Sequence, residues 1–257
     1  MTTCVFLGPT LSEADARDAL EAVYLPPARR GDVLQAIAEH QPQNIAIIDG
    51  YFEQAPSVWH KELLWALSNG IGVWGAASMG ALRAAELSQF GMIGVGRIFE
   101  AYASGAFAPF EEPFEDDDEV AVVHGPAETG FAASEALVDV RATLATARDA
   151  GVIDATTMQA VASAAKALFY KHRTWPAILR AAQEAGAPTA AIAALDAQLD
   201  DVRTPQKRLD ALDLLRAIGG AAAAPSPAPP PFRFERTSIW RSYAGESDKG
   251  ETAWPSR

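Results

Sequence analysis

The stretch GVWGAASMGALRAAELSQF, residues 72–90, decides the fold class. Its first four residues are small or apolar, which is typical of a short buried strand. From Met79 onward alanine and leucine recur at helical spacing, and Gly91 supplies the stop signal. A strand that passes through a few small residues into a helix is a unit of α/β proteins, and Ser78 lies at that turn.

Three further apolar runs predict strands, at Thr3–Leu7, Asn44–Ile48 and Val120–Val123. Helical spacing of apolar residues predicts helices over residues 12–21, 32–40 and 57–67. Because strands alternate with helices, we expect an α/β fold with an N-terminal, largely parallel sheet and flanking helices.

The pattern changes after residue 126, where alanine-rich segments with a period of 3.6 residues predict an α-helical half. We divide the chain into an α/β core at 1–126, a helical region at 127–218, an Ala/Pro linker at 219–231 and a C-terminal tail at 232–257. The tail alternates aromatic residues with arginine at its start. It is either disordered, or it is an arm that docks on its own core or on a partner.

Composition excludes several classes of function. The 257 residues carry a formal net charge of −12, which argues against nucleic acid as the main partner because phosphate binding needs a basic face. A single cysteine, Cys4, and four scattered histidines predict no disulfide framework, no metal site and no cofactor. No apolar run approaches ~18 residues and the N-terminus lacks a basic segment, so we expect no membrane span, no signal peptide and a cytoplasmic location.

Ser78 has the sequence context of a nucleophile elbow, in which a serine lies on a tight turn between strand and helix. Small neighbours such as Gly75 and Gly80 suit a crowded turn, and the Met79 N–H is placed to stabilise an oxyanion. The match to G-x-S-x-G is incomplete, because Ala76 occupies the position of the first glycine. The alternative is that Ser78 only caps the helix.

Lys61 is conspicuous because the chain has five lysines against sixteen arginines, and no other lysine precedes Lys166. A lysine can deprotonate a serine if burial lowers its pKa. The alternative is a solvated helix residue that pairs with a carboxylate. His60 is another candidate base, but adjacent helix positions point about 100° apart, so His60 and Lys61 do not serve one site equally.

The predicted strand ends converge. Gly8 and Pro9 follow the first strand, Gly50 follows the second, and Ser78 follows the strand at 72–75. Parallel strands place their carboxyl ends at one edge of the sheet, where α/β proteins build their sites. We therefore expect the Gly8-Pro9 turn and Gly50 to contribute to the same site as Ser78, with the turn as a second oxyanion donor.

Together these residues closely resemble the TfuA-like family. The resemblance covers about residues 3–126 and rests on blocks listed here by position: GPTL (8–11), YLPPARRGDV (24–33), IIDGYFEQAPSVWHKELLWAL (47–67), GAASMGALRAAEL (75–87), GMIGVGRIFEAYASG (91–105) and DDDEVAVVHGP (116–126). It implies a role in peptide backbone thioamidation beside a YcaO enzyme, which binds the peptide substrate. The family is associated with a Ser–Lys pair, and the matching residues here are Ser78 and Lys61.

The resemblance also implies the reaction. A TfuA-like protein hydrolyses the thiocarboxylate on a small ThiS-type sulfur carrier and so supplies sulfide for thioamidation, and the glycine-lined slot beside Ser78 would admit the thin tail. Two alternatives remain open. One is a non-catalytic adaptor that recruits peptide and carrier to the YcaO enzyme, and the other, which has the least support, is a nucleotide-binding α/β domain.

The acidic charge is concentrated between Ile98 and Val140, where eleven carboxylates and no lysine or arginine account for −11 of the net charge. A charge run of this kind is usually a solvated loop. Because a small acidic carrier would be repelled there, we expect Asp116, Asp117 and Asp118 to face the YcaO partner instead.

Overall fold

A five-stranded parallel sheet forms the centre of the N-terminal half. The computed structural model describes residues 2–53, 55–125, 132–221 and 231–245. In chain order the strands are β1 (Thr3–Phe6), β2 (Val23–Leu25), β3 (Asn44–Ile47), β4 (Gly72–Gly75) and β5 (Ile93–Gly94), and their order across the sheet is β2-β1-β3-β4-β5. The predicted α/β fold with a parallel sheet is confirmed.

In the α/β half each strand is followed by a helix. They are α1 (Glu13–Ala19), α2 (Asp32–His40), α3 (His60–Ser68), α4 (Met79–Leu87) and α5 (Arg97–Ser104). The α2 helix has the predicted bounds, and α1 begins after Ser12, whose hydroxyl accepts the Asp15 N–H as a cap.

Both faces of the sheet are covered, which explains why the strands are apolar on both sides. On one face, Phe6 and Ile47 pack with residues of α2, α3 and α4. On the other face, Val5 and Ala46 pack against α1 and against Leu214 of α11 (Gln206–Ala221). A helix from the C-terminal half therefore completes the layer that covers the sheet.

In order the remaining helices are α6 (Leu137–Asp149), α7 (Ala155–Ala167), α8 (Trp175–Glu184), α9 (Thr189–Ala197), α10 (Leu199–Val202), α11 and α12 (Ser238–Ala244). Helices α6 to α10 follow the alanine-rich pattern and build a second core around α6 and α7. Helices α11 and α12 pack on the α/β half. No helix within the described ranges is long and apolar enough to cross a membrane.

The predicted strand at Val120–Val123 was wrong. This segment follows a 3₁₀ turn at Asp117–Glu119, and Val120 is buried in the helical core. Two of its backbone groups have side-chain partners in place of a ladder: the Val123 N–H donates to Ser134 Oγ, and the Val120 carbonyl accepts from Lys207 Nζ. Two short strands, β2 and β5, were not predicted; β2 is only three residues long and is followed by two prolines.

The C-terminal segment, residues 231–245, docks on the molecule's own α/β half, as one of the two alternatives for the tail proposed. Trp240 of α12 is fully buried against Leu34, Trp59 and Trp65. Helix α11 continues to Ala221, into the first residues of the predicted linker. The rest of the linker, 222–230, the predicted domain boundary at residue 126 and the end of the tail, 246–257, lie outside the described residues.

Candidate functional site

Asp49 organises the carboxyl edge of the sheet, where β1 and β3 end. Its buried carboxylate accepts the Gly8 N–H at 2.9 Å, the Thr10 N–H at 3.2 Å and the Thr10 hydroxyl at 2.6 Å. The turn after β1 is thereby tied to the residue that follows β3. The structure thus brings Gly8 and Pro9 together with Gly50 at one edge.

The turn that carries Ser78 is pressed against β3. The Gly80 N–H donates to the Ile48 carbonyl at 3.3 Å, and a Cβ added to Gly80 would lie 1.7 Å from the Ile47 carbonyl oxygen. A Cβ on Gly75 would lie 2.1 Å from the Gly80 carbonyl oxygen. Both glycines are therefore required for this close approach, as the crowded turn of an elbow demands.

Ser78 itself lies at the N-cap position of α4 and is 3% exposed. Its hydroxyl makes no capping hydrogen bond, so a simple cap does not explain the residue. Ala77, just before it, adopts φ +66°, a left-handed conformation that costs free energy for a residue with a Cβ. Met79 is the first residue of the helix, so its N–H lies outside the helix's own hydrogen-bond ladder.

Lys61 lies on the first turn of α3 and faces the C-terminal segment. Its Nζ donates to Thr237 Oγ1 at 3.3 Å and lies 5.4 Å from the centre of the Phe234 ring. Within the described ranges no hydrogen bond joins Lys61 to Ser78. The neighbouring His60 pairs with Glu86 of α4 at 2.7 Å.

A cavity of about 1070 Å³ opens beside the Asp49 cluster, between the sheet edge and the helical half. Gly8, Thr10 and Tyr51 line it from the sheet side, while Asp139 of α6 and Lys207 of α11 line it from the helical side. No local sequence pattern predicted that the helical half would contribute to this edge.

Lys207 is a buried lysine in this cavity, with 3% of its surface exposed. Its Nζ donates to the Val120 carbonyl at 3.0 Å, and its backbone N–H donates to Asp139 Oδ1 at 2.9 Å. Burial lowers the pKa of Lys207, and the charges of Asp49 and Asp139 oppose that shift. Burial raises the pKa of Asp139 to about 6, although the residue as a whole is only half-buried.

His124 lines the same cavity and lies against Tyr51, with ring centres 5.2 Å apart. Burial lowers the pKa of His124; Asp49 raises it and Lys207 lowers it further. Four titratable groups therefore interact electrostatically at this edge: a histidine, a lysine and two carboxylates. Groups with perturbed pKa values often cluster in this way at functional sites.

Sequence reasoning missed Lys207 and Asp139. The signal that selected Lys61, a lysine in a chain that prefers arginine, applies equally to Lys207. Only the fold brings Lys207 to Asp49, because α11 has to pack across the sheet face for its first turn to reach the strand ends. Among the described residues no group of three or more His, Cys, Asp or Glu could hold a metal ion.

The acidic segment has basic neighbours from the helical half. Asp116 pairs with Lys166 at 3.1 Å, and Asp118 pairs with the fully buried Arg173 at 2.6 Å. Glu119 pairs with the buried Arg141 at 2.9 Å. These ion pairs hold the segment on the helical core; a role of Asp116, Asp117 and Asp118 toward a partner stays a prediction.

A comparison with known protein families identifies the part of the chain that carries this site. Residues 49–174 match the family described as TfuA-like protein. Over these residues the chain belongs to the TfuA-like family. The matched range includes Lys61, Ser78, His124 and Asp139, and it ends before Lys207. No curated protein matches the chain.

The TfuA-like range differs from the stretch on which the sequence resemblance rested. It begins after the blocks at 8–11 and 24–33, and it continues past residue 126 through α6 and α7. Part of the helical half therefore belongs to the TfuA-like unit. The match supports an accessory role associated with thioamidation.

Proposed function

We propose that this TfuA-like protein acts beside a YcaO enzyme and releases sulfide from a thiocarboxylated ThiS-type carrier, with Ser78 as nucleophile and Lys61 as base. The observation that carries the proposal is the turn at Ser78. A serine without a capping bond follows a left-handed residue at the start of a helix, which is the tight strand-to-helix turn of a nucleophile elbow.

The chemistry follows from these positions. Ser78 Oγ attacks the thiocarboxylate carbon while the base accepts its proton, and the negative charge develops on oxygen near the N–H groups at the start of α4. The C–S bond then breaks and hydrosulfide leaves, so the carrier is bound to Ser78 as an ester. Water hydrolyses the ester and returns the serine and a carrier carboxylate. In sum, one thiocarboxylate and one water give one carboxylate and hydrogen sulfide.

Lys61 is supported as the base by its place in the matched family range and by the topology. The helix that bears it, α3, and the helix that Ser78 precedes, α4, follow neighbouring parallel strands, so both begin on the carboxyl side of the sheet. Its amine is held by Thr237 of the C-terminal segment, so catalysis requires the side chain to turn from that segment toward the elbow.

The test is sulfide release from the purified thiocarboxylated carrier by the full chain. We expect Lys61→Ala to lower the rate by roughly 10²–10⁴-fold, the range of a lost general base, and Ser78→Ala to lower it by at least as much. Ser88→Ala, an exposed serine at the other end of α4, and Lys171→Ala, an exposed lysine, are the matched controls and should release sulfide at the wild-type rate. Unchanged release in both site variants would contradict the proposal.

A non-catalytic adaptor is the second candidate, favoured by the contact of Lys61 with Thr237 instead of Ser78. An adaptor brings carrier and peptide to the YcaO enzyme without breaking the C–S bond. If both site variants promote thioamidation as well as the wild type, with either carrier or free sulfide as the sulfur source, the adaptor explains the function. If they do so only with free sulfide, the hydrolase does.

A further inference from the structure

The cavity beside Asp49 lies where open α/β sheets bind ligands. The chain leaves β1 toward β2 on one side and returns to β3 on the other side, so the loops after β1 and β3 diverge. Ligands bind at such a switch point, outside the carboxyl ends of the strands. Gly8 and Thr10 after β1 and Tyr51 after β3 form the sheet side of the cavity.

Lys207 places an ammonium group in this cavity, and the described contacts engage only one of its N–H donors. An ammonium group has three N–H donors, and the described contacts give Nζ one acceptor, the Val120 carbonyl. The ion pairs of the described residues include none to Lys207. Because a buried ammonium is costly unless its donors are satisfied, the remaining donors favour an acceptor that arrives from outside.

The carboxylates near Lys207 are engaged elsewhere. Asp49 accepts three hydrogen bonds from Gly8 and Thr10, and Asp139 accepts the backbone N–H of Lys207. They attract the ammonium without pairing with it directly. Two further cations, Arg203 and Arg208, line the cavity and are exposed enough to meet a ligand that enters, although each also has a carboxylate neighbour.

We propose that this cavity binds the C-terminal end of an extended peptide, with Lys207 Nζ donating to its terminal carboxylate, the group that the proposed hydrolysis leaves on the carrier. A volume of about 1070 Å³ accommodates several residues, which suits the tail of a small protein better than an isolated anion. The identity of that protein as the sulfur carrier rests on the proposed function. The Ser78 turn adjoins the same edge, since Gly80 bonds to the carbonyl of Ile48, the residue before Asp49.

Binding can be tested without turnover. The probe is a synthetic peptide of the carrier's last five residues, as the free acid and as the C-terminal amide, titrated into the full chain by calorimetry. We expect the acid to bind at least ~10-fold more tightly than the amide, because a charge-assisted hydrogen bond is lost in the amide. Acetate tests whether a small carboxylate is enough for binding, and it should bind at least ~10-fold more weakly than the peptide acid.

The matched variants are Lys207→Met, which keeps the length of the side chain without its charge, and Lys171→Met on the surface. We expect Lys207→Met to weaken binding of the peptide acid at least ~10-fold and to leave binding of the peptide amide unchanged. Lys171→Met should change neither affinity. Equal binding of acid and amide to the wild type would overturn the proposal, even if Lys207→Met failed to fold. Acetate binding as tightly as the peptide would overturn the assignment to an extended tail.

The outcomes separate this inference from the hydrolase. Acid binding with no sulfide release from the carrier would count against the hydrolase alone. Sulfide release with no preference for the acid would count against the cavity alone.

Discussion

The carboxylate of Asp49 accepts the Thr10 hydroxyl at 2.6 Å and so joins the end of β3 to the turn after β1. The same carboxylate accepts two backbone N–H groups of that turn. Because Asp49 is 1% exposed, its carboxylate depends on these donors in place of water. The carboxyl edge of the sheet therefore depends on a single side chain.

Asp49→Ala should lower the free energy of unfolding by about 2–4 kcal/mol, because three part-buried donors lose a charged acceptor. Chemical denaturation measures the change. Asp213→Ala, an exposed aspartate paired with Arg216 at 3.1 Å, is the control and should change stability by less than ~0.5 kcal/mol. Equal effects of the two substitutions would show that the Asp49 hydrogen bonds do not hold this edge.

The elements around this edge show what local sequence can predict. The strands β1, β3 and β4 and the helix α2 follow from apolar runs and turn residues that are close together in the chain. The position of Ser78 between β4 and α4 follows in the same way. Short-range patterns therefore suffice where the determinants of an element lie within it.

Long-range contacts set what the sequence could not predict. The Val120–Val123 segment has a strand-like composition, but Ser134 and Lys207 satisfy its backbone from other parts of the chain. The acidic segment has no basic residue of its own, and its partners Arg141, Lys166 and Arg173 come from later elements. Lys207 reaches the site only because α11 packs on the sheet.

The carboxyl group of Glu62 makes the free energy of unfolding depend on pH. This fully buried carboxyl accepts the Gly31 N–H at 2.9 Å and the Tyr243 hydroxyl at 2.8 Å, yet burial prevails and raises its pKa from 4.5 to about 7. Between these two values the folded state binds more protons than the unfolded state. Stability from this group is therefore fully present below about pH 4.5 and is lost as pH rises toward 7.

Glu62→Gln removes that dependence because an amide does not titrate. The wild type should lose up to about 3 kcal/mol relative to Glu62→Gln between pH 4.5 and 8, an order-of-magnitude figure from the pKa shift. Denaturant midpoints across this range measure the difference, which isolates Glu62 from the other groups that titrate there. Glu39→Gln, on the exposed face of α2, should follow the wild type. Parallel curves for all three proteins would contradict the raised pKa.

Trp240 anchors the C-terminal segment that covers Lys61. It is fully buried and packs against Trp59 and Trp65, while Thr237, three residues earlier, contacts the Lys61 amine. Trp240→Ala removes the largest apolar contact of the segment, so the segment should detach and expose α3. Because detachment limits the loss to the free energy of docking, we expect at most about 3–5 kcal/mol, the cost of removing a buried aromatic side chain.

Hydrogen exchange and limited proteolysis measure this detachment directly. In Trp240→Ala the amides of α12 should exchange at least ~10-fold faster, and proteases should cut within 231–245 before they cut the core, because amides and cleavage sites open where docking is lost. Ile239→Ala is a matched control on the adjacent residue, which is 67% exposed and makes little contact. If both variants keep wild-type protection in α12, the aromatic contact is not what holds the segment. If protection falls only in Trp240→Ala, the access of Lys61 to Ser78 can be tested in the same variant by its rate of sulfide release.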